Sequence, residues 1–404
     1  GQNGHLYFAG QDTVELAKQY GTPLYLLDED YIRQQCRVYK AAFQKHFGPK
    51  AKPLYASKAN SFKRIYEIMR EENMGIDVVS SGEMYTAIQA GYDLSRAYFH
   101  SNNKTDADIA YGMDNGIGYF VADNVEEIKA IEAEAARRGT RQKVLLRLTP
   151  GIDPHTYEAI ATGKVDSKFG SAIETGQAEE ISRLALTFRN IKLQGFHCHI
   201  GSQIFETEPF CDAADIMLAF MAEINAEFGI KLRELNLGGG LGVRYTEFDP
   251  VIDYADAIRR IAEVVHALCA ENKIPVPDIL LEPGRSLVAA AGTTLYTVGS
   301  VKEIPGFKCY VSVDGGMTDN PRYTLYQAAY TVLPADRMRD KADFVCTVAG
   351  CCCESGDLLG EGVKMQTAEV GDTLAVLATG AYNYSMSSNY NRIPKPAMVS
   401  VNDG

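Results

Sequence analysis

The sequence predicts an α/β barrel followed by an all-β domain, and three observations carry that reading. From about residue 50 to about residue 282, short apolar runs alternate with longer amphipathic stretches, the pattern of repeated strand–helix units. After residue 285 the texture changes to alternating strands. At 404 residues the chain is too long for one ordinary domain and long enough for a barrel-sized core with a smaller partner. Its 46% hydrophobic and 23% charged residues are the balance of an ordinary globular protein.

The first element is GTPLYLLDED (21–30), a strand ahead of the barrel that can join the sheet of the β domain. The apolar runs of the barrel are KPLYAS (52–57), GIDVVS (75–80), AYFH (97–100), GYFV (118–121), KVLLRL (143–148), LQGFHCHI (193–200), ELNLG (234–238) and ILLEP (279–283). Between them lie helical patterns such as FKRIYEIMREEN (62–73), SGEMYTAIQAG (81–91), NVEEIKAIEAEAARRG (124–139) and YADAIRRIAEVVHALCAEN (254–272), each ending near Gly or Asn. Eight strands each followed by a helix imply a (β/α)8 barrel; an open doubly wound sheet is the alternative, and eight evenly placed units favour closure. The β domain contains GTTLYTVGSVKEI (292–304), KCYVSVDGG (308–316), DFVCTVAG (343–350) and DTLAVLATGAY (372–382), and PKP near residue 395 reads only as a rigid tail. The expected organisation is 1–28 joining the β domain, 29–283 as the barrel and 284–404 as the β domain, a β-sandwich or barrel-like unit.

A net charge of -12 argues against a nucleic-acid partner, which needs a clustered basic surface, and favours small-molecule chemistry. No segment reaches the roughly 18 uninterrupted apolar residues of a membrane span, and GQNGHLYFAG at the N-terminus lacks a charged-then-apolar leader pattern. A cytoplasmic location is expected. The nine cysteines, with no CxxC pair spaced for zinc, read as reduced thiols.

Chemistry in such a barrel sits where strands end. The first run is followed by Lys58 in YASKAN (55–60), the sixth ends in HCHIGSQ (197–203), the seventh leads into GGGLG (238–242), and the eighth ends in EPGR (282–285). A lysine ending an apolar strand is expected to be partly desolvated, which favours a free amine that can attack a carbonyl. A surface lysine is the alternative for any lysine taken alone; its place in the set favours the functional reading. GGGLG between a strand and a helix offers bare N–H groups at a helix N-terminus for a phosphate, and Gly284-Arg285 occupies the next loop, where barrels also hold phosphate. Glu282 can be weighed against one cofactor with both an aldehyde and a phosphate, pyridoxal phosphate (PLP). Glu282 facing its ring nitrogen would keep that nitrogen protonated and the ring electron-accepting; an arginine there would weaken the sink and suit racemisation. A glutamate in a barrel-end salt bridge is the alternative. Strand alternation puts His197 and His199 on one face, where an imidazole can lie flat on a cofactor ring. The pair also has metal-ligand spacing, but no third ligand is suitably placed, so no metal is expected. Cys198, facing away, reads as core.

Together these segments resemble the diaminopimelate decarboxylases, a branch of the alanine-racemase-like, fold type III PLP-dependent decarboxylases that also include the ornithine and arginine enzymes. YASKAN, HIGSQ, GGGLG, EPGR, CESGD (353–357) and GAYNYSMSSNYN (380–391) occur in the family's order and span nearly the whole chain. The resemblance implies PLP as cofactor and conversion of meso-2,6-diaminopimelate to L-lysine, the last step of lysine biosynthesis. It implies that Lys58 binds the PLP aldehyde covalently, that His199 stacks on the ring and that Glu282 faces its nitrogen. Ser202, Gly239, Gly240, Gly284, Arg285 and Tyr382 would surround the phosphate, with Arg285 and Tyr382 also available to substrate and Asp77 and Glu83 behind the cofactor. Diaminopimelate carries a distal carboxylate that lysine lacks, so a selective site needs a cationic fork and an acceptor for the distal ammonium. Arg322 and Tyr326 in NPRYTLYQ (320–327) match the family positions that join Arg285 at that carboxylate, and Glu354 matches the acceptor. A solvated loop arginine is the alternative for Arg322. Cys353 matches the cysteine that a neighbouring subunit supplies to protonate the carbanion, which implies a homodimer with shared active sites. Cys351 and Cys352 depart from the family's usual proline and aliphatic residue, which leaves the stiffness of that loop open. ATGKVDSKFG (161–170) falls where the family has a lid-like loop.

Three other readings compete. An ornithine- or arginine-type decarboxylase would have no use for a carboxylate fork at Arg322. A non-catalytic PLP-binding regulator would not need Lys58, Cys353 and a full β domain. A class I aldolase using Lys58 without PLP would not need Glu282.

Overall fold

The computed structural model describes residues 3–154 and 162–402. Among them the eight apolar runs fold as parallel strands: Lys52–Ala56, Gly75–Val78, Ala97–Phe99, Tyr119–Ala122, Gln142–Thr149, Ile191–His197, Glu234–Asn236 and Asp278–Leu281. Successive strands pair with each other, and Leu280 of the eighth pairs with Lys52 of the first, so every strand has two neighbours and the sheet closes. The open doubly wound sheet is thereby excluded. Closure of an all-parallel sheet brings every C-terminal strand end to one mouth.

The strands are continuous apolar runs because both their faces are covered. Leu54, Tyr98, Val121, Leu145 and Leu280 pack together as a core cluster within this sheet. The helices are delimited by local chemistry. For Val125–Arg138, the Asn124 side chain accepts the Glu127 N–H, acidic residues occupy the first turn, Arg137 and Arg138 the last, and Gly139 ends the helix at φ 63°. No helix among the described residues is long and apolar enough to cross a membrane.

The chain divides into two compact units: Gln35–Gly242 with Val251–Gly284, which holds the barrel, and Gly1–Gln34 with Val243–Pro250 and Arg285–Gly404. In the second unit Gly292–Ile304 is the long central strand. Its first half lies between Leu24–Asp28 and Thr373–Leu377, and its second half pairs with Lys308–Val313. Val332–Pro334 extends the sheet on one side, Phe344–Ala349 and Leu358–Met365 on the other. The strand expected near the N-terminus thus joins this sheet. The rigid tail expected around PKP needs correction: Ala397–Val401, directly after it, forms a strand parallel to Leu24–Asp28. Both prolines precede the strand, so they remove no ladder hydrogen bond from it. Val14, Leu16, Ala17, Leu24, Leu26, Leu295, Ala335 and Ala375 form one core cluster of this unit.

Candidate active site

Lys58 sits just beyond the first strand, in the single turn Ser57–Ala59. The turn buries Ser57 and Ala59 and leaves Lys58 exposed. The Ser57 hydroxyl donates to the Asp77 carbonyl at 2.7 Å and to Glu83 Oε1 at 3.3 Å, and Glu83 also accepts the Val79 N–H at 2.8 Å. The second strand is thereby tied to the lysine turn.

Glu282, immediately after the eighth strand, is the hub of the mouth. Its Oε2 lies 2.5 Å from His100 Nε2 and its Oε1 2.5 Å from His197 Nε2. His100 follows the third strand and His197 ends the sixth, with ring centres 4.6 Å apart. All three side chains are buried. Burial alone would raise the Glu282 carboxyl, but the two imidazoles outweigh it and hold the group well below the usual carboxylate range. Burial also pushes His100 down and His197 down to about 3, against the pull of Glu282, so both rings are neutral at neutral pH. Asp77 is driven well above its ordinary range by burial and by Glu282 beside it. The two carboxyls therefore carry one proton between them, on Asp77. Arg147 also faces this cluster, and its guanidinium covers the Phe169 ring at 4.5 Å. Glu282 is thus paired at the barrel end, as the alternative reading had it, with two histidines whose rings burial keeps neutral.

His199 lies past the end of the sixth strand. Its Nδ1 accepts the Gly239 N–H at 3.2 Å, and burial, then Lys58 and Arg147, push it well below the ordinary histidine range. Strand alternation was expected to give His197 and His199 a common face; the strand stops at His197, and the two rings serve different partners. The missing third metal ligand also needs correction. His100, His197 and Glu282 offer ligand atoms within 4.8 Å of one another, with His199 outside the group. Those atoms are engaged with each other through hydrogen bonds.

The glycine run does not stand at a helix N-terminus as expected, because the next helix begins only at Tyr254 and is capped by Asp253. Its glycines let the loop lie against two other strand ends: a Cβ on Gly239 would sit 2.1 Å from the Glu282 carbonyl oxygen, and one on Gly240 2.3 Å from that of Gly201. The N–H groups of Gly240 and Gly284 have no acceptor among the described residues, and Ser202 lies in the loop after the sixth strand. Backbone donors of this kind suit a phosphate. The amine of Lys58, the neutral ring of His199 and the anionic Glu282 suit a pyridine aldehyde. The residues present fit PLP.

The other unit holds the arginines. Arg322 is buried on the short helix Arg322–Tyr326, donates from Nη1 to the Tyr330 hydroxyl at 2.9 Å, and lies 5.1 Å from the Tyr245 ring centre and 6.0 Å from that of Tyr326. Its Nε is buried without an acceptor among the described residues. The solvated-loop alternative is overturned. Arg285 Nη1 donates to the Tyr245 hydroxyl at 2.5 Å, and its guanidinium lies 4.8 Å from the Tyr382 ring centre. Tyr245 thus links the two guanidinium groups. Cys353 and Glu354 are exposed and Cys352 is buried. The Cys352 N–H donates to Asp357 Oδ2 at 2.8 Å and the Cys353 N–H to Asn391 Oδ1 at 2.7 Å, so side-chain acceptors hold the loop where the family has a proline. Of the lid-like stretch, Ala161 lies outside the described residues. The Thr162 hydroxyl donates to the His199 carbonyl at 2.8 Å, and the Gly170 N–H to Asp123 Oδ1 at 2.9 Å.

His100 and Arg147 escaped the sequence reading. His100 closes the run AYFH, and Arg147 interrupts the apolar run KVLLRL, so each left a faint signal without a motif.

The sequence profile described as "Pyridoxal-dependent decarboxylase, pyridoxal binding domain" matches residues 29–289. The diaminopimelate decarboxylase of Bacillus subtilis (strain 168) is 45% identical over 403 residues, 100% of this chain and 92% of that protein. The chain belongs to the diaminopimelate decarboxylase family. Another diaminopimelate decarboxylase, from Staphylococcus aureus (strain COL), is 44% identical over 404 residues, 100% of this chain and 94% of that one. The crystal structure of the M. jannaschii diaminopimelate decarboxylase in complex with L-lysine matches with a TM-score of 0.90 at 34% identity, covering 99% of this chain and 92% of the other. For a diaminopimelate decarboxylase the cofactor is PLP, in agreement with the donor set at the barrel mouth.

Proposed function

We propose that this protein removes carbon dioxide from meso-2,6-diaminopimelate and releases L-lysine, the last step of lysine biosynthesis, with PLP as its cofactor. The observation that carries the reading is an ionised Glu282, held by two imidazoles at the same barrel mouth as Lys58. PLP, when bound, supplies an aldehyde that takes up the substrate amine and a protonated ring that accepts the electron pair left as the carboxylate departs. Lys58 binds the cofactor covalently between turnovers. Glu282, being anionic, favours a protonated ring nitrogen, and Asp77, being neutral, adds no second negative charge beside it. His199 offers the flat face of an uncharged ring. Ser202, Gly239, Gly240, Gly284, Arg285 and Tyr382 are assigned to the phosphate.

Substrate choice is assigned to the β unit. Arg322 is caged by Tyr245, Tyr326 and Tyr330 with no carboxylate within ion-pair reach among the described residues, so an incoming carboxylate is its natural partner. Arg322, Arg285 and Tyr326 take the distal carboxylate and Glu354 the distal ammonium. Cys353 Sγ returns a proton to Cα, so one carbon dioxide leaves and one proton replaces it. The exposed Cys353 and Glu354 support an assignment to the partner subunit's site in a homodimer. Nine free cysteines fit a reducing, cytoplasmic location.

The test is the purified protein with PLP and diaminopimelate, followed by near-visible absorbance and lysine formation. Lys58→Ala should lose both signals, and near-normal turnover in that variant would overturn the assignment. Mixing Lys58→Ala with Cys353→Ala protein should restore part of the activity through hybrid dimers. A mixture as inactive as its parents would refute the shared site.

A further inference from the structure

We infer that His100 and His197 are positioning residues for this decarboxylation: two neutral imidazoles, each giving its Nε2–H to one oxygen of Glu282, fix the plane of that carboxylate and decide that it, and not Asp77, carries the charge. The inference rests on the reading that Glu282 faces the ring nitrogen of PLP.

Two buried carboxyls side by side cannot both ionise, and with nothing else present the proton could rest on either. The barrel breaks that symmetry. His100 and His197 come from two strand ends, and each reaches a different oxygen of Glu282 at 2.5 Å. Asp77 receives neither ring and takes the proton. A buried carboxylate that stays charged needs hydrogen-bond donors, and here the two rings and the protonated Asp77 supply three. The tautomer follows from the surroundings of His197. Its Nδ1 is buried with no hydrogen-bond partner among the described residues, and a bare ring nitrogen is a lesser penalty there than an unmet N–H, so the proton belongs on Nε2. Glu282 has four lone pairs on its two oxygens; the rings take two and the proton on Asp77 a third, so one remains for a ring N–H on the cofactor side. Arg147 also bears on Glu282 and supports the negative form, while Lys58 bears on Asp77 and opposes its protonation less than burial and Glu282 favour it. A structural role alone would ask only that the three side chains fill space, which a leucine in place of an imidazole also does.

The test compares His100→Leu, His100→Gln, the same pair at His197, Glu282→Gln, and the double variant His100→Leu/Glu282→Gln. Loss of one hydrogen bond to the carboxylate should lower kcat about tenfold to a hundredfold. KM for diaminopimelate should stay within about threefold, because a positioning role runs through Glu282 and not through substrate contact. Glutamine, whose amide N–H reaches the place of Nε2, should recover most of the loss. In the Glu282→Gln background, His100→Leu should cost nothing further. Nitrogen-15 spectra of the full chain, with and without PLP, should show both rings as Nε2–H tautomers near neutral pH. That measurement, with the glutamine variants, stands even where a leucine variant fails to fold. Wild-type kcat in His100→Leu and His197→Leu alongside a crippled Glu282→Gln would overturn the clamp and leave the Glu282 reading standing. Unchanged turnover in Glu282→Gln would overturn that reading itself. Additive losses in the double variant, or an Nδ1–H tautomer, would also overturn the clamp.

Discussion

Gly239→Ala should damage catalysis from a position that bears no reactive group. The new methyl carbon would sit 2.1 Å from the carbonyl oxygen of Glu282 and 3.0 Å from its carbonyl carbon, both backbone atoms that no rotamer can move aside. Since carbon–oxygen contacts close no nearer than about 3.3 Å, the ends of the seventh and eighth strands must separate by roughly 1.2 Å. They are held by the Glu282 N–H to Gly238 carbonyl bond at 2.8 Å and the Leu237 N–H to Leu280 carbonyl bond at 3.0 Å, which must stretch. The Glu282 side chain moves with its backbone, out of reach of rings now 2.5 Å away. Overpacking of this kind costs about 1–3 kcal/mol of stability. A displacement of about 1 Å at a catalytic group costs about a hundredfold in rate. Urea unfolding and kcat at saturating PLP and diaminopimelate measure the two effects. Gly299→Ala is the control, because a Cβ there meets nothing within 4 Å. Wild-type turnover and stability in Gly239→Ala would refute the idea that this loop positions Glu282.

Lys104 is wholly buried, and its three ammonium protons go to the Ser101 carbonyl at 3.1 Å, the Val121 carbonyl at 2.9 Å and Glu127 Oε2 at 2.9 Å. Lys104→Met should therefore cost about 3–5 kcal/mol by leaving Glu127 buried and unpaired, and adding Glu127→Leu should recover most of it in the same urea titration. Asp319, held by the Tyr296 hydroxyl and the Gly316 N–H, is pushed up to about 7 by burial. Its folded value lies above the unfolded one, so its contribution is complete below about pH 4 and is lost as pH rises through about 7, at up to about 1.4 kcal/mol per pH unit. Asp319→Asn should flatten that stretch of the stability curve, and parallel curves would refute the assignment. Arg322→Ala should lower kcat/KM for diaminopimelate about a hundredfold or more, because a charged fork is lost. Competition between diaminopimelate and ornithine checks this, and an unchanged preference would remove Arg322 from substrate recognition.

The barrel strands were legible because a strand buried on both faces is a continuous apolar run, which sequence displays directly, and in the β unit the alternating run GTTLYTVGSVKEI coincides with the strand Gly292–Ile304. Lys58, Glu282 and the glycine run were legible as residues that follow such runs. What they do to one another was not. His100 meets Glu282 only because the barrel closes, and no local pattern records closure. The exposure of Lys58 depends on how a single turn directs three side chains, a choice that YASKAN does not display. The aromatic cage of Arg322 draws Tyr245 from a segment whose membership of the β unit leaves no local mark. AMVSV went unseen because its one partner strand lies at the far end of the chain.

That last pairing has a consequence for biosynthesis. Leu24–Asp28 leaves the ribosome ahead of the barrel, yet both of its neighbours, Gly292–Ile304 and Ala397–Val401, follow it. Throughout translation of the barrel an apolar LYLLD segment has two bare edges, the kind of surface that recruits foreign strands. Pairing over so long a span is also slow, since a large loop must close before any ladder bond forms. Nascent chains stalled before residue 397 should therefore engage chaperones through the Leu24–Asp28 segment, and emergence of Ala397–Val401 should end that engagement.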